Sequence, residues 1–245
     1  MADHKILIVE DEPLISYVIR KYLSQQGFKV SGIASRVNEA IELARTDRPD
    51  LILMDIFLND KEDGIYAVEQ IRKFSDVPVI YLSAFSDPET LERAKTTNPS
   101  GYLVKPIDER ELLTNIPIAI HKYEADKKIK EIEQQLRKFS VVVEQSPVSI
   151  LITDTNGNIE YANSKFSRVS GYTLEEVKGK NPRFLKSGET CNAEYKRMWE
   201  LLKSGQEWKG EFHNKKKNGE LYWENATITP IIDGEGRITN YVALK

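Results

Sequence analysis

The 245-residue chain has a single cysteine, Cys191. One thiol excludes an internal disulfide and any cysteine-rich metal centre. Long apolar runs are missing as well. The longest, such as residues 6–9 and 77–82, fall far short of the roughly 20 residues that span a bilayer. No membrane partner is expected. Residues 1–10 enter a strand pattern at once, which leaves no room for a signal peptide and makes the cytoplasm the expected location. There is no excess of positive charge either. Lys and Arg number 35 against 38 Asp and Glu, a net charge of −3, so no nucleic-acid partner is expected. The local run Lys215, Lys216, Lys217 adjoins Asn218 and Gly219 and reads as a solvated hairpin turn. What is present, 40% hydrophobic and 30% charged residues, is the composition of an ordered globular chain long enough for two domains.

The first part alternates short apolar runs with helical patterns. Strands are predicted at 5–9, 29–32, 51–54, 78–82 and 101–104, and helices at 13–26, 36–46, 64–73 and 88–96. The strand segments are rich in Ile, Val and Leu with little alternation, as in a parallel sheet buried on both faces. Pro13 and Pro88 sit at first-turn positions, and Gly27 sits where a helix C-cap glycine belongs. The repeat predicts a doubly wound α/β domain.

From about residue 108 to about 145 the pattern is one long helical run. Ile129, Ile132, Leu136, Phe139 and Val143 recur at alternating spacings of three and four, a heptad seam suited to a coiled coil and a homodimer. The upstream set Leu112, Ile116, Ala119 and Tyr123 is out of phase with it, and Pro117 would kink or restart the helix. Two arrangements fit: one bent helix, or a domain helix followed by a separate linker at 123–145. Near-continuous helix is the expectation. A seam that packs on the chain's own domains is the alternative to dimerisation.

Residues 146–245 change texture. Alternating strands around Ile150–Ile152 and Ile159–Tyr161 flank an Asn156-Gly157 turn, a hairpin signal. Helices are predicted at 164–170, 174–178 and 193–204, then strands at 207–214, 221–232 and 238–244. This is an α+β layout with an antiparallel sheet.

Parallel α/β sheets gather ligand groups at the carboxyl ends of their strands. That edge would hold Glu10 and Asp11 after the first strand, Asp55 after the third, Ser83 after the fourth and Lys105 after the fifth. Crowded carboxylates favour a cation among them, and oxygen ligands suit Mg²⁺. A lysine and a small hydroxyl nearby can hold phosphoryl oxygens. Taken singly, each residue is an ordinary cap or loop residue; their joint placement is what points to phosphoryl transfer onto a carboxylate.

The stretches ILIVEDEP (6–13), LILMDIFL (51–58), Asp63-Gly64, PVIYLSA (78–84) and GYLVKP (101–106) resemble the receiver domain of response regulators, over about residues 3–122. The resemblance implies a flavodoxin-like fold within residues 1–122. Asp55 would be the phosphoacceptor, served by a histidine kinase or phosphotransfer protein. Mg²⁺ would be held by Glu10, Asp11, Asp55 and the backbone carbonyl of Phe57. Ser83 and Lys105 would bind the phosphoryl group, the Lys105–Pro106 bond would be cis, and Ser83 with Tyr102 would form the switch. The charged segment 59–62 departs from the usual loop and bears on dephosphorylation. Haloacid-dehalogenase-type phosphatases also form an aspartyl-phosphate, but they need a second Asp where this chain has Phe57. No independent enzyme is expected.

Residues 143–188, the Trp208 to Gly210 run, 214–224 and 241–245 resemble PAS domains, which places a PAS domain at 146–245. The stretch 179–185 looks like the signature of flavin-binding light sensors of that family, with Pro182 where their cysteine stands. A photoadduct is therefore excluded, while a non-covalent flavin, as in redox-sensing relatives, stays open. The candidate ligand pocket comprises Asn181, Arg183, Asn214 and Glu224; Asn214 matches a flavin-contacting amide, whereas Glu224 and Lys245 stand where amides are usual. His213, the domain's one histidine, reads as a surface residue rather than a haem ligand. The resemblances together imply a two-component signalling protein in which the receiver relays its state through the helix to the PAS domain. The alternative is the N-terminal part of a hybrid histidine kinase whose PAS domain senses a ligand or redox state, since the last strand reaches the final residue and a kinase or output domain could follow.

Overall fold

The computed structural model describes residues 4–84 and 88–245. They form two compact units, residues 1–132 and 133–245. The first is built on strands β1 (Lys5–Val9), β2 (Lys29–Ala34), β3 (Leu51–Asp55), β4 (Val79–Ser83) and β5 (Gly101–Val104). They form one sheet in the order β2-β1-β3-β4-β5, every neighbour pair parallel. Alternate residues of each inner strand enter different apolar layers. Leu7, Val9, Ile52 and Met54 pack with helices α2 (Val37–Thr46) and α3 (Gly64–Ile71). Ile6, Ile8, Leu51 and Leu53 pack with α1 (Pro13–Gln25) and α5 (Glu109–Glu144). Burial on both faces explains the continuous apolar runs, each fully buried Ile or Leu contributing about 1.5–3 kcal/mol. The remaining helix, α4, spans Pro88–Thr96. Gly27 has φ +81° just past α1, as a C-terminal glycine does.

Helix α5 is a single element of 36 residues with Pro117 inside it. Its first half buries Leu112, Ile116, Ala119 and Ile120 on the parallel sheet. Ile129, Ile132, Leu136 and Phe139 of the heptad seam lie beyond that contact and are exposed, Leu136 64% and Phe139 68%, while Val143 is half-buried. No helix of the described residues is long and apolar enough to cross a membrane.

The second unit holds β6 (Ile150–Thr153), β7 (Ile159–Ala162), β8 (Trp208–Lys215), β9 (Leu221–Ile232) and β10 (Ile238–Leu244), ordered β7-β6-β10-β9-β8 and antiparallel throughout. Helices α6 (Ser164–Ser170), α7 (Leu174–Val177) and α8 (Asn192–Lys203) cover one face. A 3-10 turn at Pro182–Leu185 was not foreseen; Asn181 caps it by accepting the Arg183 amide at 3.2 Å.

Candidate functional site

The carboxyl ends of β1, β3, β4 and β5 bring the expected residues of the first domain together. Glu10 is 1% exposed and Asp55 3%. Oxygens of Glu10, Asp11 and Asp55 lie within 4.8 Å of one another. Lys105, on the Lys105–Pro106 cis peptide, enters this cluster. Its Nζ donates to Asp55 Oδ2 at 2.7 Å and to Glu10 Oε1 at 2.9 Å. Glu10 Oε2 is equally near, at 2.8 Å, yet is left without a hydrogen bond. Burial pushes the Glu10 carboxyl up to about 7, against the Lys105 hydrogen bond, and Asp55 adds repulsion. Burial opposes the Lys105 charge, but its bonds to Asp55 and Glu10 hold the ammonium above its ordinary range. Two buried anions thus share one cation, which leaves oxygen lone pairs for a further positive charge.

Backbone amides finish the shape of this edge. Phe57 N donates to Asp55 Oδ1 at 3.1 Å, and Asn59 N to Asp11 Oδ2 at 3.1 Å. Ser83 is buried at the end of β4, its hydroxyl donating to the Ala84 carbonyl at 2.9 Å. The Tyr102 ring stacks on Tyr81, centroids 5.9 Å apart, and its buried hydroxyl has no hydrogen-bond partner among the described residues. Tyr81 in turn bonds Thr97 Oγ1 at 2.9 Å.

Two contributors escape sequence reading. Gly64 lies so close to β3 that a Cβ there would stand 1.9 Å from the Asp55 carbonyl oxygen; the Asp63-Gly64 pair is visible in the sequence, the close approach is not. Asp60 of the charged loop accepts the Val37 amide at 3.1 Å. It caps α2 in place of Arg36, whose side chain makes no cap bond. Its partner is 23 residues away, beyond any local capping pattern.

The second domain contains a cavity of about 160 Å³. Asn181, Arg183 and Asn214 line it as expected, and Glu224 does not. Glu224 accepts from Asn214 and from Lys245 Nζ at 2.7 Å, both of which line the cavity. The side chains of Glu224 and Lys245 are only 9% and 6% exposed. His213 is not a surface residue: it is 9% exposed, bonded to Glu189 and stacked on Trp223 at 4.5 Å, outside the cavity lining.

These two sites agree with what comparison with known proteins finds. Residues 6–117 match the response regulator receiver domain family, and residues 147–244 match the PAS domain family. The chain is a receiver domain followed by a PAS domain. A nitrogen fixation regulatory protein of Klebsiella oxytoca is 38% identical over 107 residues, 44% of this chain and 22% of that protein. The transcriptional regulatory protein PdtaR of Mycobacterium tuberculosis is 35% identical over 119 residues, 49% of this chain and 58% of the relative. The sensor histidine kinase TmoS of Ectopseudomonas mendocina is 26% identical over 257 residues, 92% of this chain and 26% of its own length. A crystal structure of the receiver domain of a modulated diguanylate cyclase from Desulfovibrio desulfuricans is 36% identical, covering 50% of this chain and 98% of that one, with TM-score 0.48. The chain spans less than two thirds of each of these three curated relatives. Its pairing of receiver and PAS domains is that of two-component signalling.

Proposed function

We propose that the receiver domain accepts a phosphoryl group on Asp55 from a histidine kinase or phosphotransfer protein. The Lys105 ammonium, seated between Asp55 and Glu10, is the observation that carries this reading. In the transfer the phosphorus–nitrogen bond of the donor phosphohistidine breaks, a phosphorus–oxygen bond to the Asp55 carboxylate forms, and the imidazole takes up a proton from water. Glu10, Asp11 and Asp55, whose oxygens lie within 4.8 Å of one another, with the Phe57 carbonyl, fit an oxygen-loving divalent cation. Bound Mg²⁺ would supply charge neutralisation for the phosphoryl oxygens. Lys105 then moves from the carboxylate to a phosphoryl oxygen, Ser83 donates to another, and the Tyr102 ring, whose hydroxyl has no hydrogen bond among the described residues, turns with Ser83. Helix α5 carries the change toward the PAS domain, and its open seam pairs two chains as a homodimer.

The test is intact-mass spectrometry after incubation with Mg²⁺ and acetyl phosphate. The wild type gains one hydroxylamine-labile phosphoryl group, and Asp55→Asn gains none. An unlabelled wild type, or equal labelling of Asp55→Asn, would overturn the proposal. A second reading, the input portion of a longer hybrid histidine kinase, is supported by the extent of the TmoS match, 92% of this chain.

A further inference from the structure

The PAS cavity has a size and a lining that together specify a ligand. Its volume is about 160 Å³. An engineered apolar cavity of about 150 Å³ takes up one benzene molecule. The space matches one ring. Glu224 and Lys245 neutralise each other at 2.7 Å, so neither presents the free amide donor and acceptor that a flavin ring edge would need.

The walls are aromatic and aliphatic. Phe212 is flanked by the stacked rings of Tyr195 and Trp208, Trp199 meets Tyr241 edge to face at 5.4 Å, and Met198 and Leu202 of α8 close one side. Every charged residue in the lining is a cation: Arg183, Lys186 and Lys245. Lys245 has Glu224. Lys186 has no carboxylate partner among the described residues; its Nζ sits 3.4 Å above the Tyr195 ring. Burial and the nearby Arg183 both hold the Lys186 ammonium below its ordinary range. Among the described residues the Arg183 side chain bonds the neutral Asn181 side chain, at 3.1 Å. Arg183 and Lys186 are both exposed at the mouth of the cavity, two like charges with no paired carboxylate among the described residues, where an incoming anion can accept charge-assisted hydrogen bonds.

We infer that this cavity binds a compact aromatic monocarboxylate, its ring against Met198, Leu202 and Phe212 and its carboxylate at Lys186 and Arg183. The PAS domain would then sense an organic acid of about nine heavy atoms, an upper size set by the one-ring volume. The inference rests on the PAS cavity alone and does not depend on phosphorylation at Asp55.

The probe is benzoate, titrated into the full chain by calorimetry and by tryptophan fluorescence, which Trp199 reports from the cavity wall. The wild type binds benzoate saturably, and Lys186→Met weakens it roughly tenfold or more, the worth of one charge-assisted hydrogen bond. Benzyl alcohol, with the same ring and no charge, binds more weakly and is indifferent to Lys186→Met. Ala243→Leu fills the cavity and removes binding; circular dichroism melts verify that both variants are folded. Lys186 lies on the exposed rim, so its variant keeps the test open if Ala243→Leu does not fold. The inference is overturned if benzoate fails to bind, if it binds a folded Ala243→Leu or Lys186→Met as tightly as the wild type, or if riboflavin binds in its place.

Discussion

The side-chain amide of Asn163 donates to the carbonyl of Val143 at 3.0 Å, fastening the last turn of α5 to the start of α6. The same amide reaches the Val148 carbonyl at 2.9 Å, while its oxygen accepts from Ile150 and Phe166, both at 3.0 Å. Asn163 is fully buried. Asn163→Ala would leave buried backbone groups of the helix end, β6 and α6 unpaired. We expect a loss of about 3 kcal/mol in the PAS unfolding transition, measured by denaturant titration. A loss below about 1 kcal/mol would show that the anchor is not needed.

Glu144, the neighbouring residue, accepts from the Ser164 hydroxyl at 2.6 Å and from Tyr161. Its carboxyl is held below the ordinary range by the Ser164 hydroxyl first and the Tyr161 hydroxyl second. A depressed carboxylate contributes stability above its unfolded pKa and loses it as pH falls through the folded one. Glu144→Gln should therefore be less stable than wild type at neutral pH, with the difference shrinking as pH drops below the ordinary glutamate range. A difference that does not change with pH would remove the ionised form from the account.

Gly64 allows the approach of α3 to Asp55. Gly64→Ala places a methyl group 1.9 Å from the Asp55 carbonyl oxygen, so β3 or α3 must move. A destabilisation of about 2 kcal/mol is expected, together with slower acceptance of phosphate from acetyl phosphate. A variant with wild-type stability and labelling rate would contradict the rigid placement of this turn.

Lys105→Met leaves Glu10 and Asp55 facing each other without a cation. We expect about 3 kcal/mol of destabilisation in the receiver transition without divalent ions, at the low end for a broken buried pair because Glu10 can take up a proton. Mg²⁺ should stabilise this variant more than it stabilises the wild type. If Mg²⁺ shifts neither melting curve, the expected cation site is wrong.

Leu136 and Phe139 are exposed on α5, in a heptad seam that a second α5 would cover. Sedimentation should show a dimer for the wild type and a monomer for Leu136→Glu/Phe139→Glu with unchanged circular dichroism. A monomeric wild type would sink the homodimer.

Much of this was legible in the sequence because periodicity and punctuation are local. The runs around Ile6 to Val9 and Leu51 to Met54 announced strands buried on two faces, and Gly27 and Asn156-Gly157 marked a helix end and a hairpin turn. The near-continuous helix expected over this region is what forms: α5 runs through Pro117, the Leu112, Ile116 and Ala119 face being buried on the sheet on either side. His213 misdirected: Trp223 is its cross-strand partner across the Asn218-Gly219 hairpin, but Glu189, which bonds its ring, lies 24 residues away, beyond any local pattern.

The sequence by itself determined the two domain types, the order of their elements and the acids, hydroxyl and lysine that gather on one sheet edge, because strand ends follow from hydrophobic periodicity. Only the tertiary structure decided which charges neutralise one another. Lys105 reaches Glu10 across 95 residues and Asp55 across 50, and Lys245 pairs with Glu224 while Lys186 has no acid among the described residues. Ion pairing depends on distance and burial in space, and the chain brings such residues together only when it folds.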